Sequence, residues 1–468
     1  MNKKLILVVG LAMALSSANS AFAQKDGGIT PKMLKEIRAS YGTNPQDKAL
    51  RNAVMANGMS SLVENSDNHT KFDEQFTYRV NSKGISDQKS SGRCWLFTGL
   101  NVMRSPIIAQ YGLGEFFFSQ NYSFFYDQLE KSNLFLQAII DTRDKKIDDP
   151  TVAWLFQHPI SDGGQFTGIS ENILKYGLVP SSVMPETVNS NNTRTMSSII
   201  AKILRQGGIR MREAAAKGAK KAALEAQKLD YLKEIYKVLA MNLGVPPTEF
   251  EYTLKDAQGK VISTETYTPQ SFYKKFVGQD LRNDFVMIMN DPSRPYGKLY
   301  SIEYDRHSYD GANWTYVNVP IEELKEMAIA SLKDSTMIYY SCDVGKEFDR
   351  KTGSLDLNNF DYNSLLGFKF DMNKKERIET YDSGSSHAMT LVAVNLDKNG
   401  KPDKWMVENS WGASNGFHGH LIMTDQWFDA YTFRIVVNKK YVSDKVLKIL
   451  NTKPTMLPPW DPMFAPEN

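Results

Sequence analysis

Cysteine is scarce in this chain, and a long hydrophobic run is missing. Among 468 residues only Cys94 and Cys342 are cysteines. Two cysteines cannot build a disulfide scaffold, so a small cross-linked extracellular domain is excluded. The two thiols can pair with each other, or one can be buried while the other reacts. The chain also lacks a run of about 18 apolar residues, which argues against a transmembrane helix.

A large charge of one sign is missing as well. The sequence has 56 basic and 53 acidic residues, a formal net charge of +3. Loss of Lys3 and Lys4 with an N-terminal leader lowers this charge to +1. The balance gives no support for nucleic acid or a membrane as a partner. The cluster Lys217, Lys220 and Lys221 can contact an anionic partner, but its mixed-sign surroundings favour a solvated helix face.

The N-terminus has the order of a secretory signal peptide. Lys3 and Lys4 precede an apolar stretch over Leu5–Leu15, and Ala21-Phe22-Ala23 forms an A-x-A cleavage site. The apolar stretch is too short to span a bilayer, which argues against the alternative of an uncleaved anchor. The pattern therefore predicts a signal peptide over residues 1–23 and an exported protein, periplasmic or secreted, without membrane attachment.

Helical patterns dominate the front of the chain, and strand patterns dominate the back. Apolar periodicity predicts helices over Lys32–Ser40, Asp47–Ser60, Cys94–Tyr111, Phe116–Leu136, Phe166–Tyr176, 198–243 and Ile321–Leu332. Short β-rich runs predict strands over Phe72–Val80, Phe285–Met289, Met337–Cys342, Ala388–Val394, Lys404–Glu408, His420–Met423 and Thr432–Val437. Pro106 predicts that its helix ends or kinks near Ser105. The segregation indicates an α+β fold rather than alternating βαβ units.

The strongest chemical signal is a thiol at the start of a predicted helix. Cys94 follows a loop rich in Ser, Lys and Gly over Asn81–Arg93, on which Gln88 lies six residues earlier, and Trp95 follows the cysteine. The N-terminus of a helix favours the thiolate, so it activates a cysteine as a nucleophile. Gln88 can turn its side-chain amide toward the sulfur and, with the backbone N–H of Cys94, form an oxyanion hole. For an isolated cysteine, a small buried thiol is the simpler interpretation.

A nucleophilic thiol needs a base, and the base needs an orienting group. His387 follows a small-residue loop at the entry of a predicted strand, where its ring can face a cleft. Asn409 follows another predicted strand and can accept a hydrogen bond from the imidazole, while Trp411 can shield that bond from water. Taken singly, His387 suits a structural histidine and Asn409 a turn. Together with Cys94 they form a candidate catalytic set.

In their order along the chain, these residues resemble the papain superfamily of cysteine peptidases. The interval from Cys94 to His387 is 293 residues, longer than in papain itself, and implies large insertions. Within the superfamily the chain resembles the bleomycin hydrolase and aminopeptidase C family, from about residue 70 to the end. The resemblance is carried by Ser91–Trp95, Phe118–Gln120, Phe124–Asp127, Asp162–Gln165, Tyr176–Pro180, Val183–Thr187, Asn290–Pro292, Cys342–Lys346 and Leu457–Met463.

The resemblance implies a papain-like α+β fold, with a helical left half, a β-rich right half and large helical insertions. After the predicted signal peptide at 1–23, in which the chain departs from the cytosolic members of the family, and an N-terminal arm at 24–70, we expect a peptidase domain at 71–456 with a helical insertion at about 190–330, and a C-terminal tail at 457–468. The resemblance further implies a homohexamer that acts on peptides, has its active sites facing an inner chamber and needs no cofactor.

In this family the C-terminal tail lies in the active-site cleft, and its terminal carboxylate holds the free α-amine of a substrate. This arrangement makes the members of the family aminopeptidases. In this chain, Asn468 would supply the terminal carboxylate and so act as the gate. The ending departs from the small apolar residues expected there, because Pro466 stiffens the tail and Glu467 adds a charge. An endopeptidase or a non-peptide amidase with the same triad therefore stays open. A non-catalytic peptide-binding scaffold is a further alternative, against which the complete Gln-Cys-His-Asn set argues.

Cys342 and two histidines are secondary candidates. Cys342 ends a predicted strand, which favours a structural, buried thiol, although an inactivating Cys94–Cys342 disulfide stays open. His418 and His420 fall in a β-rich stretch without a matching cluster of ligands. We therefore predict no metal site.

Overall fold

The computed structural model describes residues 27–68, 72–81 and 83–462. These residues fall into two compact units that divide between Val63 and Glu64. The predicted signal peptide lies outside the described residues. Of the helices in the described part of the chain, none is both long enough and apolar enough to cross a membrane.

The first unit is helical. Its helices are α1 (Pro31–Ala39), α2 (Pro45–Ala56) and α3 (Met59–Leu62). The side chains of Thr30 and Asn44 accept hydrogen bonds from the first turns of α1 and α2, and a proline opens each helix. The two helices predicted in this region are therefore confirmed, with capping that explains where each begins.

The described residues of the second unit contain twelve further helices. They are α4 (Cys94–Tyr111), α5 (Gln120–Asp141), α6 (Pro150–Gln157), α7 (Phe166–Tyr176), α8 (Arg194–Ala216), α9 (Lys221–Leu243), α10 (Pro269–Phe276), α11 (Ile321–Lys333), α12 (Tyr362–Leu366), α13 (Lys374–Glu379), α14 (Asp425–Tyr431) and α15 (Asp444–Ile449). Short 3₁₀ turns occur at Ser66–Asn68 and Lys439–Tyr441. The helix predicted over Phe166–Tyr176 has the predicted bounds.

The strands are concentrated toward the C-terminal half. They are β1 (Tyr78–Arg79), β2 (Phe250–Lys255), β3 (Val261–Tyr267), β4 (Phe285–Met289), β5 (Lys298–Ile302), β6 (Thr315–Asn318), β7 (Ile338–Cys342), β8 (Phe348–Asp349), β9 (Ser354–Leu355), β10 (His387–Leu396), β11 (Pro402–Glu408), β12 (His420–Thr424), β13 (Thr432–Asn438) and β14 (Thr455–Leu457). The helical front and strand-rich back confirm the α+β prediction.

All strands except the β2–β3 hairpin belong to one mixed sheet. Its order is β14-β5-β6-β4-β13-β7-β10-β11-β12-β9-β8, and β1 also pairs with β10. The central strand β10 is antiparallel to both β7 and β11. Antiparallel pairing brings the start of β10 beside the ends of its two neighbours. His387, the first residue of β10, therefore lies near the end of β7 and near the residue that follows β11.

We predicted that the helix containing Pro106 ends or kinks near Ser105. The helix does not end there. Helix α4 continues through Pro106 to Tyr111, and Gly112 follows in a left-handed conformation. A proline inside a helix costs about 3 kcal/mol because it removes one hydrogen bond and crowds the preceding turn. Thirteen of the eighteen residues of α4 are buried, so tertiary packing compensates for this cost.

Two other predicted segments differ from the observed elements. The long helical region at 198–243 is two helices, because Gly218 (φ +91°) breaks it between α8 and α9. Of the strand predicted over Phe72–Val80, only Tyr78–Arg79 pairs, with β10. The segment at about 190–330, expected as a helical insertion, contains α8–α10 and also five strands, three of which join the main sheet.

A buried ion pair joins helix α4 to strand β11. Nη2 of Arg104 lies 3.0 Å from Oε1 of Glu408, and both side chains are at most 2% exposed. Arg104 also donates to Oδ1 of Asn101 and to the carbonyl oxygens of Lys83 and Gly84. These acceptors offset the cost of burying the guanidinium. One side chain thus holds the helix, the sheet and an intervening loop together.

Arg104→Ala should lower the free energy of unfolding by about 3–5 kcal/mol, because it leaves the Glu408 carboxylate buried without its cation. Urea denaturation of the purified variant and parent measures the difference. Arg210→Ala is the control, since Arg210 pairs with Glu213 on the exposed surface of α8. We expect no significant change in the control. Equal denaturation midpoints for Arg104→Ala and the parent would contradict the role given to this pair.

Candidate active site

Cys94 is the first residue of α4, and the residue before it holds the preceding loop in place. Arg93 is fully buried and donates to both carboxylate oxygens of Glu186, at 3.1 and 2.8 Å. Its Nε also donates to Oγ of Ser91 at 2.9 Å. A bidentate guanidinium–carboxylate pair restricts geometry more than a single hydrogen bond does. Arg93 therefore fixes the point at which α4 begins.

The side-chain amide of Gln88 has a defined orientation. Its Oε1 accepts a hydrogen bond from Oγ of Ser410 at 2.6 Å, and its Nε2 donates to the carbonyl oxygen of Ser91 at 2.7 Å. The reversed amide would place its oxygen against that carbonyl, so the assignment of nitrogen and oxygen is secure. One N–H of Nε2 remains for another acceptor. Gln88 thus has the donor that an oxyanion hole needs.

His387 and Asn409 are in direct contact. Nε2 of His387 lies 2.9 Å from Oδ1 of Asn409, and the same Oδ1 accepts from the backbone N–H of Ser410 at 2.8 Å. Because a backbone N–H can only donate, the atom facing His387 is the amide oxygen. Nε2 must then carry the proton in the neutral ring. This leaves Nδ1 as the nitrogen that can accept a proton.

The contact between His387 and Asn409 is shielded from water. His387 is 5% exposed and Asn409 is 1% exposed. The ring of Trp411 covers His387 at a centroid distance of 4.9 Å, tilted by 30°. Burial lowers the pKa of His387 to about 4, although the hydrogen bond to Asn409 raises it. At neutral pH the imidazole is therefore neutral and ready to act as a base.

Cys94, His387 and Gln88 line one cavity. Its volume is about 230 Å³, and its lining residues are Gln88, Ser90, Ser91, Gly92, Cys94, Asp162, Thr193, Arg194, Ser386 and His387. Apart from the thiol, every side chain in this set is polar or is a glycine. The structure thus brings together residues that lie up to 299 positions apart in the sequence. Such a cavity can bind a polar group, such as a peptide backbone, next to a thiol.

Asp162 forms one wall of the cavity, although the sequence analysis did not assign it to the site. Oδ1 of Asp162 accepts a hydrogen bond from Oγ of Ser197 at 2.8 Å, and Oδ2 accepts from Thr193. These contacts tie the loop before α7 to the start of α8. In the sequence, Asp162–Gln165 was one of the segments that carry the family resemblance, and nothing in it indicated a position beside Cys94.

The secondary candidates do not line the cavity that contains Cys94 and His387. Cys342 is buried at the end of β7, and no disulfide joins it to Cys94. His420 is the first residue of β12, and His418 precedes it. Among the residues that the structure describes, no group of three or more His, Cys, Asp or Glu side chains is placed to hold a metal ion. The predicted gate, Asn468, lies outside those residues.

Comparison with known proteins identifies the family. The model of the Peptidase C1-like family matches residues 28–464. This chain belongs to the Peptidase C1-like family. The predicted cysteine peptidase chemistry is thereby confirmed at the level of the enzyme class.

Individual relatives are similar to this chain over nearly its whole length and theirs. The chain is 38% identical to an aminopeptidase C of Streptococcus thermophilus over 437 residues, which cover 93% of this chain and 98% of the relative. It is 36% identical to the bleomycin hydrolase of Homo sapiens over 450 residues, covering 94% and 98%. The predicted resemblance to these two groups of enzymes is therefore confirmed.

The crystal structure of PepW from Lactobacillus rhamnosis HN001 has the same fold. The TM-score is 0.90 at 38% sequence identity, and the match covers 94% of this chain and 99% of that chain. The predicted papain-like α+β fold is confirmed. In our chain, His387 contacts Asn409 and lines the same cavity as Cys94. A mechanism can be derived from this arrangement.

Proposed function

We propose that this chain is an aminopeptidase of the bleomycin hydrolase type that hydrolyses peptides through an acyl-enzyme on Cys94. The observation that carries the proposal is that His387, bonded through Nε2 to Asn409, lines the same cavity as Cys94. The relatives named aminopeptidase C and bleomycin hydrolase support an action at the amino end of a peptide. Neither a cofactor nor a metal is needed.

Acylation begins with proton transfer from Cys94 to Nδ1 of His387, because Nε2 keeps its proton for Oδ1 of Asn409. The resulting thiolate attacks the carbonyl carbon of the scissile peptide bond, and the π electrons move to the oxygen. Nε2 of Gln88 and the backbone N–H of Cys94 bind this oxyanion. Collapse of the intermediate breaks the C–N bond, and His387 gives its proton to the departing amine.

Deacylation uses the same base. Neutral His387 removes a proton from water, and the hydroxide oxygen attacks the thioester carbonyl. Collapse releases the carboxylic acid and returns the sulfur of Cys94, which regains a proton from His387. Trp411 keeps bulk water away from the bond between the imidazole and Asn409, so the ring stays oriented through both steps.

The C-terminal tail supplies the preference for a free α-amine in this proposal. Asp461 forms an ion pair with Arg294, and the carbonyl oxygen of Pro462 lies 3.5 Å from the ideal Cβ position of Gly384, three residues before His387. The six residues that follow can span at most about 20 Å when extended. That length brings the carboxylate of Asn468 within reach of the cavity, where it would bind an α-ammonium group.

Export and assembly complete the proposal. The basic, apolar and small-residue segments of residues 1–23 direct secretion to the periplasm or beyond, and the mature protein is not membrane-attached. The active sites of a homohexamer face an inner chamber, which limits substrates to short or unfolded peptides. The unusual ending, with Pro466 and Glu467, favours one alternative: an endopeptidase with the same triad, if the tail does not close the cleft.

Matched peptides test the specificity. Protein lacking residues 1–23 is given one peptide with a free α-amine and the same peptide acetylated, and cleavage is followed by mass spectrometry. We expect release of the first residue from the free peptide only. Cys94→Ala should abolish it, because no other group can form the thioester. Truncation after Pro462 should allow cleavage of the acetylated peptide at internal bonds.

Each result has a distinct meaning. Equal cleavage of both peptides at internal bonds by the untruncated protein would keep the Cys94 chemistry and exclude the aminopeptidase. Activity that survives in Cys94→Ala would exclude the mechanism itself.

Gln88→Ala should reduce kcat by about a hundredfold or more, with a smaller effect on KM, because the lost donor acts on the oxyanion. Ser410→Ala is the matched control. It removes the hydroxyl that donates to Oε1 of Gln88 but leaves Nε2 in place, so the loss in kcat should be smaller. Steady-state kinetics on the free peptide give both values. Full kcat in Gln88→Ala would remove this residue from the oxyanion hole.

The acid limb of the pH profile reports the ionisation of His387. Burial lowers its pKa to about 4, so kcat/KM should fall as the pH drops through that value. The bond to Asn409 raises the pKa, so Asn409→Ala should lower the plateau and move the limb to lower pH. Circular dichroism at each pH controls for acid unfolding. An upward shift in the variant, or a parent limb near the ordinary histidine value of about 6.5, is incompatible with this assignment.

A further inference from the structure

One wall of the Cys94 cavity separates it from a second cavity. Residues 161–163 form this wall, and Asp162 faces the thiol cavity. Behind the wall lies a second cavity of about 140 Å³, lined in part by Ser161, Gly163, Lys131 and His307. Close packing normally holds a loop in place. Here a cavity replaces part of that support, so the position of the wall depends on specific hydrogen bonds.

Each carbonyl oxygen of the wall accepts a side-chain hydrogen bond. Nζ of Lys131 donates to the carbonyl oxygens of Ser161, at 3.0 Å, and of Gly163, at 2.6 Å. The carbonyl oxygen between them, on Asp162, accepts from Nε1 of Trp95 at 2.7 Å. Lys131 thus spans the wall from behind, and Trp95 links its centre to the residue next to Cys94.

Lys131 is itself held by buried groups. Its Nζ lies 2.9 Å from Oδ2 of Asp127, and Oδ1 of Asp127 lies 2.5 Å from Nδ1 of His307. Burial raises the pKa of Asp127, but Lys131 and His307 lower it by more, so the net shift is downward. Burial, with the charge of Lys131, lowers the pKa of His307 despite Asp127. Lys131, Asp127 and His307 thus form one contiguous buried polar cluster.

The same cluster contacts the helix that begins with Cys94. The ring of His307 meets the ring of Trp95 edge-on, with centroids 4.7 Å apart. This approach requires Gly164 beside it, because a Cβ there would lie 2.2 Å from Cε1 of His307. The cluster, the wall and the first turn of α4 form one connected arrangement.

A buried ion pair is a weak source of stability, since well-packed apolar side chains often replace it at no cost. We propose that Lys131 is a positioning residue for peptide binding. It holds the wall 161–163 in place so that a peptide in the cavity meets Asp162 at a fixed position relative to Cys94. This role rests on the proposed peptidase function and concerns the binding of the peptide, not the chemistry of the thiol.

Lys131→Gln and Lys325→Gln form a matched pair. Lys325 is similarly buried and is paired with Asp425 and Asp429 at 2.7 and 2.5 Å, but it lies on α11 and donates to Asp425 rather than to a carbonyl oxygen of the wall. Both variants lose a buried ion pair, so both should melt at a lower temperature. Only Lys131→Gln should raise KM for a peptide by about tenfold or more, with kcat changed by less than about threefold. Lys131→Arg, which keeps the charge and the donors, should recover part of the loss.

A second measurement separates peptide binding from thiol reactivity. Alkylation of Cys94 is followed with iodoacetamide, which is too small to need the wall, and with a peptidyl chloromethyl ketone. In the parent the peptidyl reagent should react faster. The ratio of the two rates should fall about tenfold in Lys131→Gln and stay unchanged in Lys325→Gln.

The outcomes distinguish the two proposals. A parent that shows no preference for the peptidyl reagent lacks peptide recognition, which overturns the proposed function and the role of Lys131 with it. A preference that is equal in the parent and in Lys131→Gln overturns only the positioning role. Equal effects of Lys131→Gln and Lys325→Gln on KM do the same, because they indicate a loss of stability alone.

Discussion

The ion pair between Arg104 and Glu408 is the contact on which the site depends. Helix α4 begins with Cys94, and strand β11 ends one residue before Asn409, yet these residues are separated by more than 300 positions. Arg104 joins the two elements inside the protein, where neither side chain is more than 2% exposed. A buried charge needs its partner at close range, so the relative position of helix and sheet has little freedom.

The chemistry of the site depends on the burial of His387 and Asn409. Asn409 presents an amide oxygen to His387, and the backbone N–H of Ser410 fixes that orientation. Burial then keeps the imidazole neutral, which suits a base that must accept a proton from a thiol. Gln88 is tied to Ser410 by two hydrogen bonds. The loop before α4 and the end of β11 therefore position the side-chain amide of Gln88 and the imidazole of His387 together.

Much of the fold was predictable because local patterns agree with the tertiary structure. The strands β4, β10 and β13 are short apolar runs, and α7 has helical periodicity closed by Gly177. Predictions failed where distant contacts outweighed a local preference. Helix α4 passes through Pro106 because most of its residues are buried, and the strand pairing of Phe72–Val80 with β10 is limited to Tyr78–Arg79.

The sequence by itself indicated the enzyme class, because the order of Gln88, Cys94, His387 and Asn409 resembles that of the papain superfamily, and the match to the Peptidase C1-like family confirms the class. It also determined the segregation of helices and strands, which follows from local periodicity. Only the tertiary structure decided which nitrogen of His387 carries the proton and how the wall at 161–163 is held. Both depend on burial and on hydrogen bonds between residues far apart in the chain, and no local pattern encodes such contacts.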